Sequence, residues 1–356
     1  GDAVFLARTP WLDWLASNCP HTVLRAHGRA VGMSSDKDMG NSEVGHNAIG
    51  AGRVFDQGAK RVDSAVRSGA LFEGALWKEL LGRAQGRGQP VHFIGLLSDG
   101  NVHSHIDHLL AMIRRCDQEG VRAVRVHPLL DGRDVPKTSA LHYVDRLEEL
   151  LGEISRSAER DYRIASGGGR MRITMDRYGA DWDMVRKGWE THVHGSGRPF
   201  PSARQAIETY RAEQPGVIDQ NVGEFVIVDE QGRPVGPIAD GASVVLFNFR
   251  GDRAIELSRA FDEEELSEFD RGQRPDVLFA SMMQYDGDLL IPKKFLVTPP
   301  AIDRTLGEYL VHNRAFQLAL SETQKYGHVT YFWNGNRGGM FDQTQERYLE
   351  IASDQV

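Results

Sequence analysis

Cysteine is almost missing from this sequence: Cys19 and Cys116 are the only two in 356 residues. Two isolated thiols supply no disulfide framework, and a reducing cytoplasm is their natural setting, with both read as ordinary buried thiols. No run of 18 apolar residues occurs, so no segment reads as a membrane span. No signal-peptide pattern is visible either. A positive balance is also lacking: the formal net charge is −8, which gives the molecule no general attraction to nucleic acid or to an acidic membrane. An anionic ligand would therefore need a local basic cluster. Internal repeats and low-complexity tracts are absent.

What remains is an ordinary globular composition, long enough for two domains or one large one. The chain opens on Gly1, Asp2 and Ala3 without a methionine and closes on Asp354, Gln355 and Val356 without a closing element. It is expected to be a piece of a longer protein.

Apolar patterning predicts helices over 10–16, 139–151, 182–193, 203–212, 256–261 and 305–312. Helical spacing also runs from Leu109 to Ile113 and over 53–67, where Ser68 and Gly69 break it. Strands are predicted over 21–26, 91–97, 121–130, 162–165, 244–249, 277–283 and 329–333, with a hairpin over 225–235. Strands alternating with helices imply an α/β fold with mostly parallel sheets. Polar residues collect after the strand ends, where ligands bind in such folds. Domain breaks are expected near 56–62 and 299–304.

The chain is organised around the stretch 39–52, MGNSEVGHNAIGAG. Glycines crowd Ser42 on both sides. Gly40 would allow a turn with positive φ, and Gly45 a close approach to a neighbour or ligand. Ser42 falls where a helix would begin, so its local reading is an N-cap. The same place lies beside unpaired backbone N–H groups and the positive end of a helix dipole, which favour a bound phosphate or a developing alkoxide. His46, four residues on, shares the helix face and would either orient the serine or close a pocket.

Five arginines sit in strand-exit loops: Arg133, Arg170, Arg177, Arg250 and Arg253. The guanidinium fork suits carboxylate and phosphate. Any one of them alone reads as a surface salt bridge, and their shared placement raises the case for a small, highly charged anion. Asp134 is a candidate acid or base, or a structural partner of Arg133. His103, His105 and His108 with Asp107 allow a zinc cluster, the less favoured reading beside helix capping and phosphate contact by one histidine. Lys325, read by itself, is a solvated side chain.

The stretch 39–52 resembles the nucleophile segment of the cofactor-independent phosphoglycerate mutases of the alkaline phosphatase superfamily. Further blocks resemble the same family and follow in its order: 95–105, 130–134, 167–170 with 175–177, 248–253 and 321–330. The form with Gly167, Gly168, Gly169 and Arg170 is similar to plant and trypanosomatid members.

The resemblance implies interconversion of 3-phosphoglycerate and 2-phosphoglycerate through a phosphoserine, in glycolysis and gluconeogenesis. It implies a phosphatase-like domain holding two divalent metal ions, manganese first among them, and a second domain holding the glycerate. Ser42 would be nucleophile and metal ligand. His103, Arg133, Asp134, Arg170, Arg177, Arg250, Arg253 and Lys325 would bind substrate, with Asp134 the acid/base. The expected division is 1–58 with 302–356 as a partial phosphatase-like domain, 62–298 as the inserted α/β domain, and hinges at 59–61 and 299–301. The family's other metal-binding motifs would precede Gly1 and follow Val356, so Ser42 is the one expected metal ligand present. The chain alone is then expected to be inactive and to bind metal poorly. The parent is expected to be a cytoplasmic monomer. A related metal-dependent phosphotransferase or phosphatase, and a noncatalytic phosphoglycerate-binding module, stay open as alternatives.

Overall fold

The computed structural model describes residues 6–33, 35–37, 39–56, 58–177, 179–287 and 289–352. Its largest feature is a nine-stranded sheet. The strands are β1 (Val91–Leu97), β2 (Ala123–Leu130), β3 (Asp161–Ile164), β4 (Ser166–Gly169), β5 (Arg198–Phe200), β6 (Phe225–Ile227), β7 (Ser243–Leu246), β8 (Leu278–Met283) and β9 (Phe295–Val297). Their order is β5-β6-β4-β2-β1-β7-β8-β9, with β3 beside β2. Every pairing is parallel except β4 with β6.

β1 is buried along its whole length, as its unbroken apolar run requires of a strand covered on both faces. Val91 and Phe93 enter one core with the helices Ala75–Arg87, Ile106–Gln118 and Ala140–Ile154. Ile94 points the other way, into a second core with Trp189, Leu257 and Phe261 from the helices Trp182–His192 and Ile255–Asp262. The period-two alternation of a strand thus serves two layers. β2 lies on one side of β1 and β7 on the other. Strand order therefore diverges at the carboxyl end of β1, where open α/β sheets leave a crevice for ligands.

A separate pair, β10 (Gln317–Glu322) and β11 (Glu346–Ile351), is also parallel. β10 runs directly into the short helix Thr323–Gly327 and then the π-helix His328–Phe332. That π-helix packs against the helix Ser42–Ala51. Arg61 Nε donates to the Thr298 carbonyl at 3.0 Å, tying the two connections between these parts together.

Several expectations are corrected. Residues 329–333 are not a strand: the aromatic, β-branched run is taken up by the π-helix. Residues 21–26 form no strand, and Val23 and Leu24 are exposed, with no partner strand beside them among the described residues. The helix expected over 53–67 is broken, because Gly52 ends the preceding helix in the left-handed region (φ 60°) and the next begins at Gly58. The exit loop after 162–165 contains β4 instead. Its glycine run lets the backbone in, since a Cβ on Gly167 would lie 2.7 Å from the Pro128 carbonyl oxygen. The hairpin over 225–235 is reduced to one bridge, Val228 to Pro234, because proline has no N–H to extend a ladder.

The glycine roles around Ser42 are exchanged as well. Gly40 has no positive φ. A Cβ there would lie 1.8 Å from the Ala26 carbonyl oxygen, so Gly40 is the close approach, while Gly45 has nothing within 4 Å. Gly50 is a second close approach, 2.0 Å from the Trp333 carbonyl oxygen on the same measure. Gly50→Ala is expected to pry the two helices apart and cost about 1–3 kcal/mol. Gly45→Ala, in open space, should stabilise by about 0.5–1 kcal/mol through helix propensity. Urea denaturation of both variants checks this, and equal effects would contradict the packing described.

Candidate functional site

Ser42 is the first residue of its helix and not its cap. Asn41 holds that position, its side-chain oxygen accepting the Val44 N–H at 3.0 Å. The capping hydrogen bond is thereby made without Ser42, whose hydroxyl stays at the helix N-terminus. Lys325 Nζ lies 3.4 Å from Ser42 Oγ, bringing together residues 283 positions apart. The Lys325 side chain is exposed, as its local reading expected, yet directed to the serine. His46 Nδ1 donates to the Ser42 backbone carbonyl at 2.7 Å, so it braces the segment without touching the hydroxyl. Its ring meets His328 edge-on at 5.2 Å. His328 is fully buried, and burial, with Lys325 and His46 next, lowers its pKa to about 4.

At the carboxyl end of β1, His103, Arg170, Asp131 and Asp134 form a buried cluster. Arg170 is 1% exposed. It donates to Asp131 at 2.9 Å, to Asp134 at 2.5 Å and to His103 Nε2 at 2.7 Å. A guanidinium has only donors, so Nε2 of His103 is the acceptor and its proton sits on Nδ1, facing Asp252 at 3.6 Å. Burial holds the His103 pKa well below the usual histidine value; Asp252 opposes this, and Arg170, Arg250 and Arg253 reinforce it. Asp131 also shapes the loop, accepting the backbone N–H groups of Arg133 and Asp134 at 3.1 Å and the Ser98 hydroxyl at 2.6 Å.

The loop after β7 supplies the other half. Arg250 grips Asp252 through Nε and Nη2, both at 2.9 Å, and Arg177 reaches the same carboxylate at 3.0 Å. Burial opposes ionisation of Asp252, but Arg250, His103, Arg177 and Arg253 outweigh it and hold the acid well below the usual carboxylate range. Arg250 also lies 3.5 Å from Glu43, one residue beyond Ser42. Burial raises the Glu43 pKa more than Arg250 lowers it. Arg253 donates to the Met175 carbonyl at 2.8 Å, and burial followed by repulsion from Arg170 brings its pKa down to about 10. Arg133 is exposed beside this group and adds to that repulsion. Glu256 accepts the Gly179 N–H at 2.9 Å, and burial raises its pKa to about 7.

The structure thus gathers Ser42, Lys325, Arg250 and Arg177 on one side, and His103, Arg170, Asp134 and Arg253 on the other, bridged by Asp252. The expected anion-binding residues meet; each proposed role for them belongs to the functional reading below. Sequence reasoning missed Asp252, Glu43, Asp131, Glu256 and His328. Asp252 had a signal, since it sits between Arg250 and Arg253 where like charges need a counterion.

The zinc reading of His103, His105 and His108 is corrected. His105 Nδ1 caps its helix by accepting the Asp107 N–H at 3.2 Å, His108 turns to Asp63 at 3.7 Å, and His103 faces Arg170. Among the described residues no group of three or more His, Cys, Asp or Glu side chains could hold a metal ion. Cys19 and Cys116 are unpaired. Among the described residues no helix is long and apolar enough to cross a membrane.

Residues 62–287 match the family BPG-independent PGAM N-terminus. The chain is 58% identical over 356 residues to a probable 2,3-bisphosphoglycerate-independent phosphoglycerate mutase of Leptospira interrogans, covering 100% of this chain and 65% of the relative. It is 51% identical to the 2,3-bisphosphoglycerate-independent phosphoglycerate mutase of Trypanosoma brucei, covering 100% and 64%. With that of Zea mays the identity is 49%, covering 99% and 63%. A crystal structure of Leishmania mexicana phosphoglycerate mutase at low cobalt concentration superposes with a TM-score of 0.94 at 50% identity, covering 100% of this chain and 65% of that one. The chain therefore spans slightly less than two thirds of the length of these relatives.

Because His103 is neutral when folded, its stabilising effect is complete above the ordinary pKa of 6.5 and is lost as pH falls below it. The unfolded chain then takes up a proton that the folded site refuses, worth about 1.4 kcal/mol per pH unit. His103→Gln should flatten the fall in stability between pH 6.5 and 5.5 by about 1 kcal/mol in urea titrations, since the unfolded histidine is only half protonated at the start of that range. An unchanged slope would mean that His103 is protonated in the folded state.

Proposed function

From the premise that this chain belongs to the BPG-independent PGAM N-terminus family, we propose that the protein interconverts 3-phosphoglycerate and 2-phosphoglycerate through a phosphoserine on Ser42, as a glycolytic and gluconeogenic isomerase. The observation that carries this reading is the meeting of Ser42 and Lys325 with the arginine cluster around Asp252 and His103. Ser42, at a helix N-terminus and beside an ammonium, suits an oxygen that must accept a phosphoryl group. Arg170, Arg177, Arg250, Arg253 and Arg133 suit the phosphate and the carboxylate of the substrate.

In the forward half, Ser42 Oγ bonds to phosphorus as the bond from phosphorus to the 3-oxygen breaks. The serine loses a proton and the 3-oxygen gains one, leaving free glycerate held by arginines. In the return half the 2-hydroxyl loses its proton, its oxygen bonds to phosphorus, and the bond to Ser42 breaks as the serine oxygen regains a proton. Asp134, held by Arg170 beside His103, is the group assigned to move the proton between the two glycerate hydroxyls. Closure around the glycerate would keep water from hydrolysing the phosphoserine.

Two divalent ions, manganese in the first instance, are proposed to act with the serine, polarising its hydroxyl. Of this chain's residues only Ser42 is assigned to them. The described residues do not by themselves enclose an ion.

The proposed division is 1–58 with 302–356, and 62–298, hinged at 59–61 and 299–301. Confinement of the nine-stranded sheet between Val91 and Val297 supports it. The proposed setting is the cytoplasm, as a monomer, with phosphoglycerates rather than nucleic acid or membrane as partners.

Calorimetry on this chain is expected to detect 3-phosphoglycerate, with Arg250→Ala weakening it by about tenfold or more, since a buried charge-assisted contact is lost. In a polypeptide extended to the length of the relatives, a coupled assay with manganese and no bisphosphoglycerate should show turnover that Ser42→Ala abolishes. Turnover surviving in Ser42→Ala would end the phosphoserine reading.

A further inference from the structure

On the face of the sheet opposite the largest core lies a buried polar chain that the proposed chemistry does not use. His92 Nδ1 is 3.0 Å from His127 Nε2. His127 Nδ1 is 2.7 Å from Ser166 Oγ, which is 2.8 Å from His192 Nδ1. His192 Nε2 is 3.0 Å from Thr174 Oγ1. None of the five is more than 2% exposed. They come from β1, β2, β4, the helix Trp182–His192 and the loop that carries Arg177. Burial depresses the pKa of His92 and His192 to about 3 and that of His127 well below its ordinary value, so all three rings are neutral at neutral pH.

A neutral imidazole has one donor and one acceptor nitrogen, which lets the direction of the chain be worked out. Among the described residues His92 Nε2 finds no partner. A buried N–H without an acceptor is the rarer orphan, so the His92 proton lies on Nδ1 and is donated to His127 Nε2. His127 must then carry its own proton on Nδ1 and donate it to Ser166. The serine hydroxyl donates onward to His192 Nδ1, leaving the His192 proton on Nε2, aimed at Thr174. Every bond runs the same way.

The receiving end is strained. Thr174 is β-branched and sits at φ 71°, a conformation such residues rarely adopt. Its N–H donates to the Met184 carbonyl at 2.9 Å. It lies so close to the helix Trp182–His192 that a Cβ on Gly188 would stand 2.2 Å from its hydroxyl. Beyond Thr174 the loop turns into the site: the next carbonyl, of Met175, accepts Arg253, and Arg177 reaches Asp252.

We propose that His192 is a positioning residue, ending a one-way chain through His92, His127 and Ser166 that holds Thr174 in place and so aims Arg177 and Arg253 at the bound anion. The inference deepens the proposed function and rests on its assignment of these arginines to phosphoglycerate.

Long-range proton–nitrogen NMR on the 15N-labelled chain tests the chain directly. The expected pattern is Nδ1–H on His92 and His127 and Nε2–H on His192, unchanged between pH 7.5 and 5. A His192 proton on Nδ1, or titration of any of the three in that range, would overturn it. Calorimetry with 3-phosphoglycerate tests the positioning. Thr174→Val, which keeps the shape and removes the hydroxyl, should bind about tenfold more weakly, and Thr174→Ser within about twofold, as loss of one buried hydrogen bond implies. Equal affinity of Thr174→Val and the unsubstituted chain would overturn the proposal. If the unsubstituted chain binds no 3-phosphoglycerate, the functional reading fails and amide exchange decides the positioning alone. Residues 172–177 should exchange faster in Thr174→Val than in Thr174→Ser, and equal rates would overturn it.

Discussion

The site depends on one carboxylate, Asp252. Arg250, Arg177 and Arg253 converge beside the neutral His103 in a place largely closed to water, where like charges repel strongly. Asp252 accepts a hydrogen bond from Arg250 Nη2, pairs ionically with Arg250 Nε and Arg177, and faces the N–H of His103. Asp131 and Asp134 do the same for Arg170. Each acid fixes the arginine's orientation and cancels part of the repulsion. The guanidinium groups are thereby preorganised, so an arriving anion need not order them.

The serine side depends instead on backbone contact. Gly40 lets the segment before Ser42 touch the Ala26 carbonyl, and Gly50 lets the helix after it rest on Trp333. The helix that meets Gly50 follows directly from the short helix carrying Lys325. One close approach therefore sets both the helix of the candidate nucleophile and the register of the cation beside it. Capping by Asn41 frees the hydroxyl of Ser42 from a structural duty that its position first suggested.

Much of the fold was legible because buried parallel strands write themselves as unbroken apolar runs. The stretches 91–97, 121–130 and 277–283 were read as strands, and β1, β2 and β8 lie there. Misreadings came where local pattern meets tertiary choice. The run 329–333 has strand composition, but packing against the helix Ser42–Ala51 turns it into a π-helix. β10 and β11 went unnoticed because their apolar residues are half exposed and show no clean alternation. In the site, the arginines stood out by type and by following strands. Asp252, Glu43 and Asp131 did not, because an acid beside a basic residue in sequence is commonplace until burial makes it necessary.

The sequence by itself determined the alternating α/β order, the family and the set of cationic residues, since these lie in composition and in contiguous motifs. Only the tertiary structure decided which acid faces which arginine, that Ser42 is not the cap, and that Lys325 reaches it. It alone joined His92, His127, Ser166, His192 and Thr174 into one chain. These relations couple residues from different strands and helices, and hydrogen-bond direction follows from burial and distance, neither of which is local along the chain.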